Sequence, residues 1–345
     1  MNEITIGVSG INAVDNPGPG VGVIRALRED QGLKQKIVGL AYDAMEPGIY
    51  LDWLVDRSFI LPYPSNGHDA FVERLSYIKQ TCGLDFVFPT LDVELPFYIK
   101  YADELEDLGI RTFLPTLEQF QLRGKDRLAD IAAKIGLKIP CTHLVHSYEE
   151  LRAAINTIGL PVMVKGAFYG ACQAYTTQQA TGLYNKIIAE WGYPIIVQQV
   201  LSGDEMNVVG LGDGSGGSLG MMGIKKMSTT AAGKIWTAIT VRNEPMLTAA
   251  EDFVREFKWK GAFELECMIR GEDVYLIEIN PRFPAWSYFS AALGINLPVN
   301  MLRYSLGQPL PSPVDYEAGK LFIRYTYEIV TDMDKFRSLV TKGEC

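Results

Sequence analysis

Residues 261–282 have the sequence GAFELECMIRGEDVYLIEINPR. Two apolar runs flank a short turn in this segment, which predicts two strands joined by that turn. Glu266 lies on the first predicted strand, and Glu278, Asn280 and Arg282 occupy alternate positions on the second. Because side chains two residues apart share one face of a strand, these three are expected to lie together.

Acidic side chains on an otherwise buried strand require a cation nearby, because burying an unpaired charge costs free energy. Oxygen ligands of this type suit Mg²⁺, which also takes phosphate oxygens and water. Arg282 adds a planar cation for a transferring phosphoryl group. The alternative is a strand at the surface with solvated charges. The tight pattern of Ile277, Ile279 and Pro281 favours a metal and phosphate site.

The flanking sequence predicts an α/β (α+β) protein with three domains, at 1–115, 116–194 and 195–345. The first alternates short strands with helices, as in a Rossmann-like parallel sheet. Its predicted strands are 4–8, 37–41, 59–61 and 86–88, and its predicted helices are 21–29, 69–80 and 93–108. The second has predicted helices at 125–135, 148–157 and 178–191, and predicted strands at 142–145, 162–165 and 173–176. The third is expected to be an antiparallel sheet, with strands at 195–199, 206–212, 220–226, 235–241, 262–269 and 274–279, covered by helices at 285–293 and 297–306.

Composition narrows the class of protein. The chain has 345 residues, of which 48% are apolar, so it can build substantial cores. A formal net charge of -9 disfavours a nucleic-acid partner. The five cysteines are scattered and are expected to be reduced thiols of a cytoplasmic protein, and three histidines make a zinc site unexpected. No window reaches the ~18 apolar residues of a membrane span, so no membrane partner is expected.

The 261–282 block resembles the signature of the ATP-grasp superfamily, whose members include biotin carboxylase, carbamoyl phosphate synthetase and D-alanine ligase. The resemblance covers nearly the whole chain and is greatest to the carbamoyl phosphate synthetase-like and biotin carboxylase-like branch. It implies a pre-ATP-grasp domain followed by two lobes that clamp ATP. In such a fold Glu266 and Glu278 would carry Mg²⁺ ions, with Mn²⁺ as an alternative metal. Asn280 would hold the second metal, and Arg282 would contact the γ-phosphate or an acyl phosphate.

The resemblance also implies two lysines for the phosphates of ATP. Lys165, at the end of PVMVK, resembles the family lysine that reaches them, and the alternative is an exposed lysine at a strand end. Lys125, which the pattern places at the start of a helix, resembles the earlier nucleotide lysine. Its alternative is a solvated residue at a helix end.

Further residues are implied around the nucleoside. Gln198, Gln199 and Leu201 resemble the hinge between lobes, whose backbone contacts adenine in the family. Glu205 resembles the acidic residue that binds the ribose hydroxyls, although an exposed turn carboxylate is nearly as common. Lys226 is favoured over its neighbour as a cation facing phosphate, because strand alternation allows only one of the two to face a cleft.

Two segments depart from the family pattern. The run after Lys165 keeps only Gly166 and Gly170, which implies a stiffer flap over the phosphates. Trp286 follows the signature and indicates either an unusual acceptor pocket or core packing.

The loop at 15–22 is rich in glycine and follows a strand. It resembles an anion site at a helix N-terminus, or serves as a structural turn. Its GxGxG spacing differs from the GxGxxG of dinucleotide-binding folds.

Three functions follow from these observations. The first is an ATP-dependent ligase that activates a carboxylate and transfers it to an amine or another nucleophile, with an amino acid or peptide as the candidate for one substrate. The second is a nucleotide-binding regulatory or assembly module with weak turnover, which the altered flap motivates. The third is a nicotinamide-dependent oxidoreductase that uses the N-terminal loop. A homo-oligomer is compatible with all three.

Overall fold

The computed structural model describes residues 3–13, 17–166, 170–231 and 233–345. The chain divides into two compact units. Unit 1 comprises Met1–Phe120, Asn207–Glu264 and Asn280–Cys345, and unit 2 comprises Gln121–Met206 and Leu265–Ile279. This partition does not test the three domains expected from the sequence, which stay a prediction.

The N-terminal part of unit 1 is a parallel sheet with the strand order β3-β2-β1-β4. Its strands are β1 (Ile4–Val8), β2 (Gln35–Ala41), β3 (Arg57–Ile60) and β4 (Phe86–Phe88). The helices are α1 (Pro19–Arg28), α2 (His68–Cys82), α3 (Leu95–Lys100), α4 (Ala102–Asp107) and α5 (Leu117–Gln121). The single helix predicted at 93–108 is wrong, because Tyr101 leaves helical geometry at φ -108° and ψ 21° and separates α3 from α4.

Unit 2 contains an antiparallel sheet of β5 (Thr142–Val145), β6 (Val162–Gly166), β7 (Ala171–Ala174) and β8 (Ile195–Gln199), in the order β5-β8-β6-β7. Its helices are α6 (Leu128–Lys134), α7 (Tyr148–Ile158) and α8 (Thr177–Trp191). The side chain of Thr176 caps α8 by accepting from the amide of Gln179, so the strand predicted at 173–176 ends earlier. Lys125 lies in a turn before α6, and the prediction that it opens a helix is wrong.

A six-stranded sheet with the order β13-β12-β9-β10-β11-β14 follows. Its strands are β9 (Asp204–Asp213), β10 (Ser218–Thr229), β11 (Ile235–Thr240), β12 (Lys260–Arg270), β13 (Asp273–Asn280) and β14 (Leu321–Ile323). The remaining helices are α9 (Glu244–Phe257), α10 (Tyr288–Ala292), α11 (Leu297–Ser305) and α12 (Met333–Lys342). Asp213 stabilises the turn between β9 and β10 by accepting from the amides of Ser215, Gly216 and Gly217.

The second strand of the signature ends earlier than predicted. β13 stops at Asn280, and Pro281 has no N–H with which to continue the ladder. Arg282 therefore lies two residues beyond the strand, and only Glu278 and Asn280 alternate along it.

One hydrophobic core joins the parallel sheet of unit 1 to the part of the six-stranded sheet in the same unit. It includes Ile6, Phe88, Leu211, Ile224 and Phe283, all fully or almost fully buried. A separate core fills unit 2. The longest helices in the described part of the chain, α2 and α8, have 15 residues each, and no helix there has the length and hydropathy needed to span a bilayer.

Two buried carboxylates lie just beyond the carboxyl ends of β2 and β4. Glu94 is completely buried and accepts from the Tyr42 hydroxyl, the Ser9 hydroxyl and the amides of Thr90 and Leu91. Glu46 accepts from the amide of Tyr42 at 2.8 Å. Burial, opposed by hydrogen bonds from the backbone, raises the pKa of Glu46 to about 7.

This shift predicts a pH dependence of stability. The folded pKa lies above the unfolded value, so the stabilisation is present at low pH and is lost as pH rises through about 7. Between pH 4.5 and 7.5, Glu46 is expected to lower the free energy of unfolding of the wild type by roughly 2–3 kcal/mol. We expect this decrease to be absent in Glu46→Gln, which retains an acceptor for the amide of Tyr42. Urea unfolding of both proteins at several pH values measures it. The exposed Glu118→Gln is the matched control, and parallel pH profiles for wild type and Glu46→Gln would contradict the shift.

Candidate functional site

The two predicted phosphate lysines lie close to one another in unit 2. Lys165, on β6, donates through Nζ to Oε1 of Gln198 at 2.7 Å, and Gln198 donates onward to the Thr142 hydroxyl. Lys125 donates through Nζ to the carbonyl of Gly166 at 3.2 Å. Burial, and then the charge of Lys125, lower the pKa of Lys165. Two cations held together at the start of the flap segment form a suitable environment for a polyanion.

Two predicted metal ligands face this pair. Glu266 on β12 and Glu278 on β13 are both half-buried, and β12 and β13 are neighbours in the sheet. Their charges raise the pKa of Lys165, against the larger effects of burial and Lys125. The structure therefore brings together two cations and two carboxylates from well-separated parts of the sequence.

The donor set is chemically suited to Mg²⁺. Within the described residues, no group of three or more His, Cys, Asp and Glu side chains is arranged to hold a metal. The predicted site uses two carboxylates and one amide, with the other positions left to phosphate and water, as Mg²⁺ commonly prefers. The metal roles of Glu266, Glu278 and Asn280 stay predictions.

Glu264, a buried carboxylate that was not among the predicted site residues, orients Asn280 in unit 1. Glu264, 4% exposed, accepts from Nδ2 of Asn280 at 2.9 Å, from Nδ2 of Asn207 at 2.7 Å and from Nε1 of Trp286 at 2.7 Å. Because Nδ2 of Asn280 donates to Glu264, the oxygen Oδ1 is directed to the other side of that amide. Trp286 is buried, which favours core packing over an acceptor pocket for that residue. The signal in the sequence was the period of two, which places Glu264 on the same strand face as Glu266.

Asp92, which was also not among the predicted site residues, orients Arg282. Its Nε donates to Oδ2 of Asp92 at 2.8 Å, and both side chains are largely buried, at 19% and 17% exposed. Nη1 of Arg282 also donates to the carbonyl of Phe283. Asp92 lies four residues after β4, beyond the carboxyl end of a parallel strand, and that position was the available signal.

The remaining predicted site residues are distributed over both units. In unit 2, Gln199 ends β8 and exchanges hydrogen bonds with the backbone of Cys141, Leu201 lies half-buried in the following loop, and Glu205 is exposed near the start of β9. In unit 1, Lys226 is half-buried on β10, opposite Ala238 of β11. Their roles stay predictions.

The two segments that depart from the pattern are partly described. Residues 167–169 of the flap lie outside the described residues, and Gly166 donates to the carbonyl of Gly170 across them at 3.0 Å. Residues 15 and 16 of the N-terminal loop also lie outside the described residues. Gly20 donates to the carbonyl of Gly10, and a Cβ on Gly20 would lie 1.9 Å from the Ser9 carbonyl. These contacts favour the structural-turn interpretation of the glycines.

Part of the chain matches a known family. Residues 193–327 match the model of a family described as ATP-grasp in the biosynthetic pathway with Ter operon. Among curated proteins, the chain is 21% identical over 197 residues to the carbamoyl phosphate synthase arginine-specific large chain of Bacillus subtilis, covering 53% of this chain and 19% of the relative. It is 24% identical over 230 residues to the carbamoyl phosphate synthase large chain of Thermotoga maritima, covering 62% of this chain and 21% of the relative. The chain thus spans about a fifth of the length of these relatives.

Solved structures are similar over most of the chain. Biotin carboxylase from Campylobacter jejuni, in a β-γ-ATP complex, has a TM-score of 0.68 at 16% identity, and the match covers 89% of this chain and 72% of that protein. N5-carboxyaminoimidazole synthetase from Staphylococcus aureus has a TM-score of 0.68 at 16% identity, with 91% and 80% covered. L-amino acid ligase from Bacillus licheniformis has a TM-score of 0.64 at 18% identity, with 88% and 74% covered. At these identities the similarity shows a common fold.

Proposed function

We propose that this chain, which belongs to the ATP-grasp superfamily, is an ADP-forming ligase that joins a carboxylate to an amine or another nucleophile. The predicted family, its carbamoyl phosphate synthetase and biotin carboxylase branch, and the predicted α/β fold are confirmed. The observation that carries the proposed activity is the grouping of Lys125, Lys165, Glu266 and Glu278 around one another in unit 2. Phosphates of ATP supply the anion that the lysines accommodate, and a divalent cation offsets the carboxylates.

The proposed chemistry has two steps. A carboxylate oxygen of the substrate attacks the γ-phosphorus of ATP, the bond from that phosphorus to the bridging oxygen breaks, and ADP leaves. An amine then attacks the carbonyl carbon of the acyl phosphate, loses a proton as the new bond forms, and releases phosphate. Lys125 and Lys165 would bind the phosphates of ATP, and Arg282 would stabilise charge on the transferring group.

The other roles are assigned by the resemblance and by local geometry. Glu266, Glu278 and Asn280 would hold Mg²⁺, or Mn²⁺ with the same preference for oxygen, which neutralises charge on the phosphate oxygens.

Around the nucleoside, Gln198, Gln199 and Leu201 would border the adenine, Glu205 would accept from the ribose hydroxyls, and Lys226 would add a cation near phosphate. Gln198 also holds Nζ of Lys165, which links the proposed adenine and phosphate contacts within unit 2.

The substrate class is supported by the solved relatives. One of them is an L-amino acid ligase. Another binds ADP with magnesium and bicarbonate, a small carboxylate. We propose a small-molecule carboxylate and an amine as substrates of this chain, with an amino acid or peptide as one of them.

Nucleotide binding tests this proposal first. We expect wild-type protein to bind ATP with a Kd in the micromolar range, about -8 kcal/mol, only when Mg²⁺ is present. Glu278→Ala removes a predicted metal ligand and is expected to weaken this binding at least about tenfold. Calorimetric titration with and without Mg²⁺ measures both effects.

Glu272→Ala, in the exposed turn between β12 and β13, is the matched control and should bind as wild type does. Mg²⁺-dependent binding without ADP release across a panel of carboxylates and amines would favour the nucleotide-binding module. Absence of binding to the wild type, or equal binding by Glu278→Ala, would contradict the assigned site.

A further inference from the structure

The segment 320–332, KLFIRYTYEIVTD, contains an edge strand followed by a continuation without regular secondary structure. β14 is the terminal strand of the six-stranded sheet and pairs with β11 on one side only. The ladder stops where the amide of Arg324 donates to the carbonyl of Trp236. Beyond that point, residues 325–331 make no hydrogen bond to any other described residue. Both β14 and its continuation therefore present backbone groups that another strand can pair with.

Several apolar side chains of this segment are highly exposed. Ile323 is 66% exposed, Tyr325 is 77% exposed and Val330 is 98% exposed. Isoleucine, tyrosine, threonine and valine all favour strands. An exposed, apolar edge of high strand propensity is a surface that native proteins normally cover.

The segment is fixed at both ends. β14 holds its start in the sheet, and α12 begins at Met333, directly after its end. The chain beyond α12 is anchored by two hydrogen bonds between the backbones of Cys345 and Ser58 of β3. Because both ends are anchored, ordering this segment against a partner costs less entropy than ordering a free tail would.

The sequence of the segment is complementary to itself in the antiparallel direction. When two copies pair about a two-fold axis at Thr326, every charged residue lies opposite a residue of opposite charge. The apolar residues also lie opposite one another, except that Leu321 lies opposite Thr331. The opposed pairs are Lys320 with Asp332, Phe322 with Val330, Ile323 with Ile329, Arg324 with Glu328, and Tyr325 with Tyr327. Directly opposite pairs of these kinds stabilise antiparallel strands.

Other registers lose this complementarity. An axis at Arg324 or at Glu328 would place that residue opposite its own copy, which is destabilising for like charges. An axis at Tyr325 or Tyr327 brings no charged residue of the segment opposite a charge of the segment. The guanidinium of Arg324 donates through Nε to the carbonyl of Ile235 at 3.1 Å and through Nη2 to the carbonyl of Ala285, so the position of its charge is fixed.

We propose that residues 320–332 form the interface of a two-fold symmetric dimer of this chain, in which the two segments pair as antiparallel strands centred on Thr326. The continuation of each chain covers the free edge of β14 in its partner. The interface is isologous, because the same surface serves both copies. The proposal does not depend on the ligase activity.

Analytical ultracentrifugation of the full chain tests whether a second copy binds to residues 320–332. We expect the wild type to be a dimer at protein concentrations of tens of micromolar. This corresponds to a free energy of association of about -6 to -8 kcal/mol. Glu328→Arg exchanges two attractive pairs for two repulsive ones and is expected to raise the dimer dissociation constant at least about tenfold. The matched control is Glu251→Arg on α9, which makes the same change in charge at another exposed position and should not alter association.

Disulfide trapping tests the register. Paired Cα atoms at the axis lie about 4.5–5.5 Å apart, within reach of a disulfide, so Thr326→Cys should cross-link rapidly under mild oxidation. The two copies of residue 330 would be about 26 Å apart. Val330→Cys, which is also at an exposed position, should therefore cross-link no faster than wild type, whose own cysteines set the background. A monomeric wild type at hundreds of micromolar, or equal cross-linking of the two cysteine variants, would overturn the proposal.

Discussion

Replacing Arg282 with methionine is expected to lower the rate of substrate-dependent ADP release about 1,000-fold. The guanidinium is held by Asp92 at 2.8 Å in a largely buried pair, so its charge acts from a fixed position. Removing one pre-organised donor from a developing charge commonly costs about 10²–10³ in rate. Binding of Mg²⁺-ATP should remain within about threefold, because the interaction is made in the transition state rather than in the ground state. Single-turnover measurement of ADP release, with calorimetry for ATP binding, separates the two quantities.

Two variants control this experiment. Arg282→Lys keeps the charge and loses the planar fork, so an intermediate rate is expected. Arg270→Met removes an exposed arginine from the end of β12 and should leave the rate unchanged. Equal losses of ATP affinity and of rate in Arg282→Met would show that the residue binds the nucleotide in the ground state, contrary to its assigned role.

The signature block shows what local sequence can predict. Its two strands were predicted correctly because alternating apolar residues and a central turn are both local signals. The cap of α7 is a local signal of the same kind, since the side chain of Ser147 accepts from the amide of Glu150 three residues later. Arg282 was misplaced onto the strand, because the spacing of two was extended through Pro281 without regard to its missing N–H.

Some elements were missed although their signals were present. α9 was not predicted, yet Asn243 caps it by accepting from the amide of Met246, and Pro245 occupies its first turn. α12 was not predicted either, although Gly343 at its C-terminal end is a stop signal of the kind that commonly ends a helix.

The partners of the site residues belong to a different class, because a local pattern can indicate their positions but not which residues they contact. Asp92 and Arg282 are 190 residues apart, and Asn207 and Glu264 are 57 apart. Such contacts depend on how distant strands pack, which a single sequence does not reveal. The candidate ligands could therefore be named from the sequence, and the side chains that contact them could not.

Replacing Glu264 with alanine is expected to have the largest effect on stability. The change removes the acceptor of three donors, from Asn207, Asn280 and Trp286, in a site that is almost completely buried. Each buried donor that loses its acceptor costs about 1–3 kcal/mol, so a total loss of about 3–5 kcal/mol is expected after relaxation. Urea unfolding of wild type and variant measures this difference. A loss below about 1 kcal/mol would mean that the network is not a principal support of unit 1.

A subtler substitution separates orientation from stability. In Glu264→Gln the oxygen can still accept from Asn207 and Trp286, but the amide nitrogen would then face Nδ2 of Asn280, and two donors would oppose one another. The amide of Asn280 is expected to rotate and to direct Oδ1 towards position 264, away from the place proposed for the metal. We therefore expect a rise of about tenfold in the Mg²⁺ concentration needed for ATP binding.

Adding Asn280→Asp to that variant provides the decisive comparison. Aspartate can accept from the new amide with one oxygen and still present the other to the metal, so both requirements are met by one side chain. We expect the double variant Glu264→Gln/Asn280→Asp to recover most of the Mg²⁺ response. Asn280→Asp alone, which places a second carboxylate against Glu264, should be the least stable of the three. If the double variant responds to Mg²⁺ no better than Glu264→Gln, then Glu264 acts through packing alone and does not set the direction of the Asn280 amide.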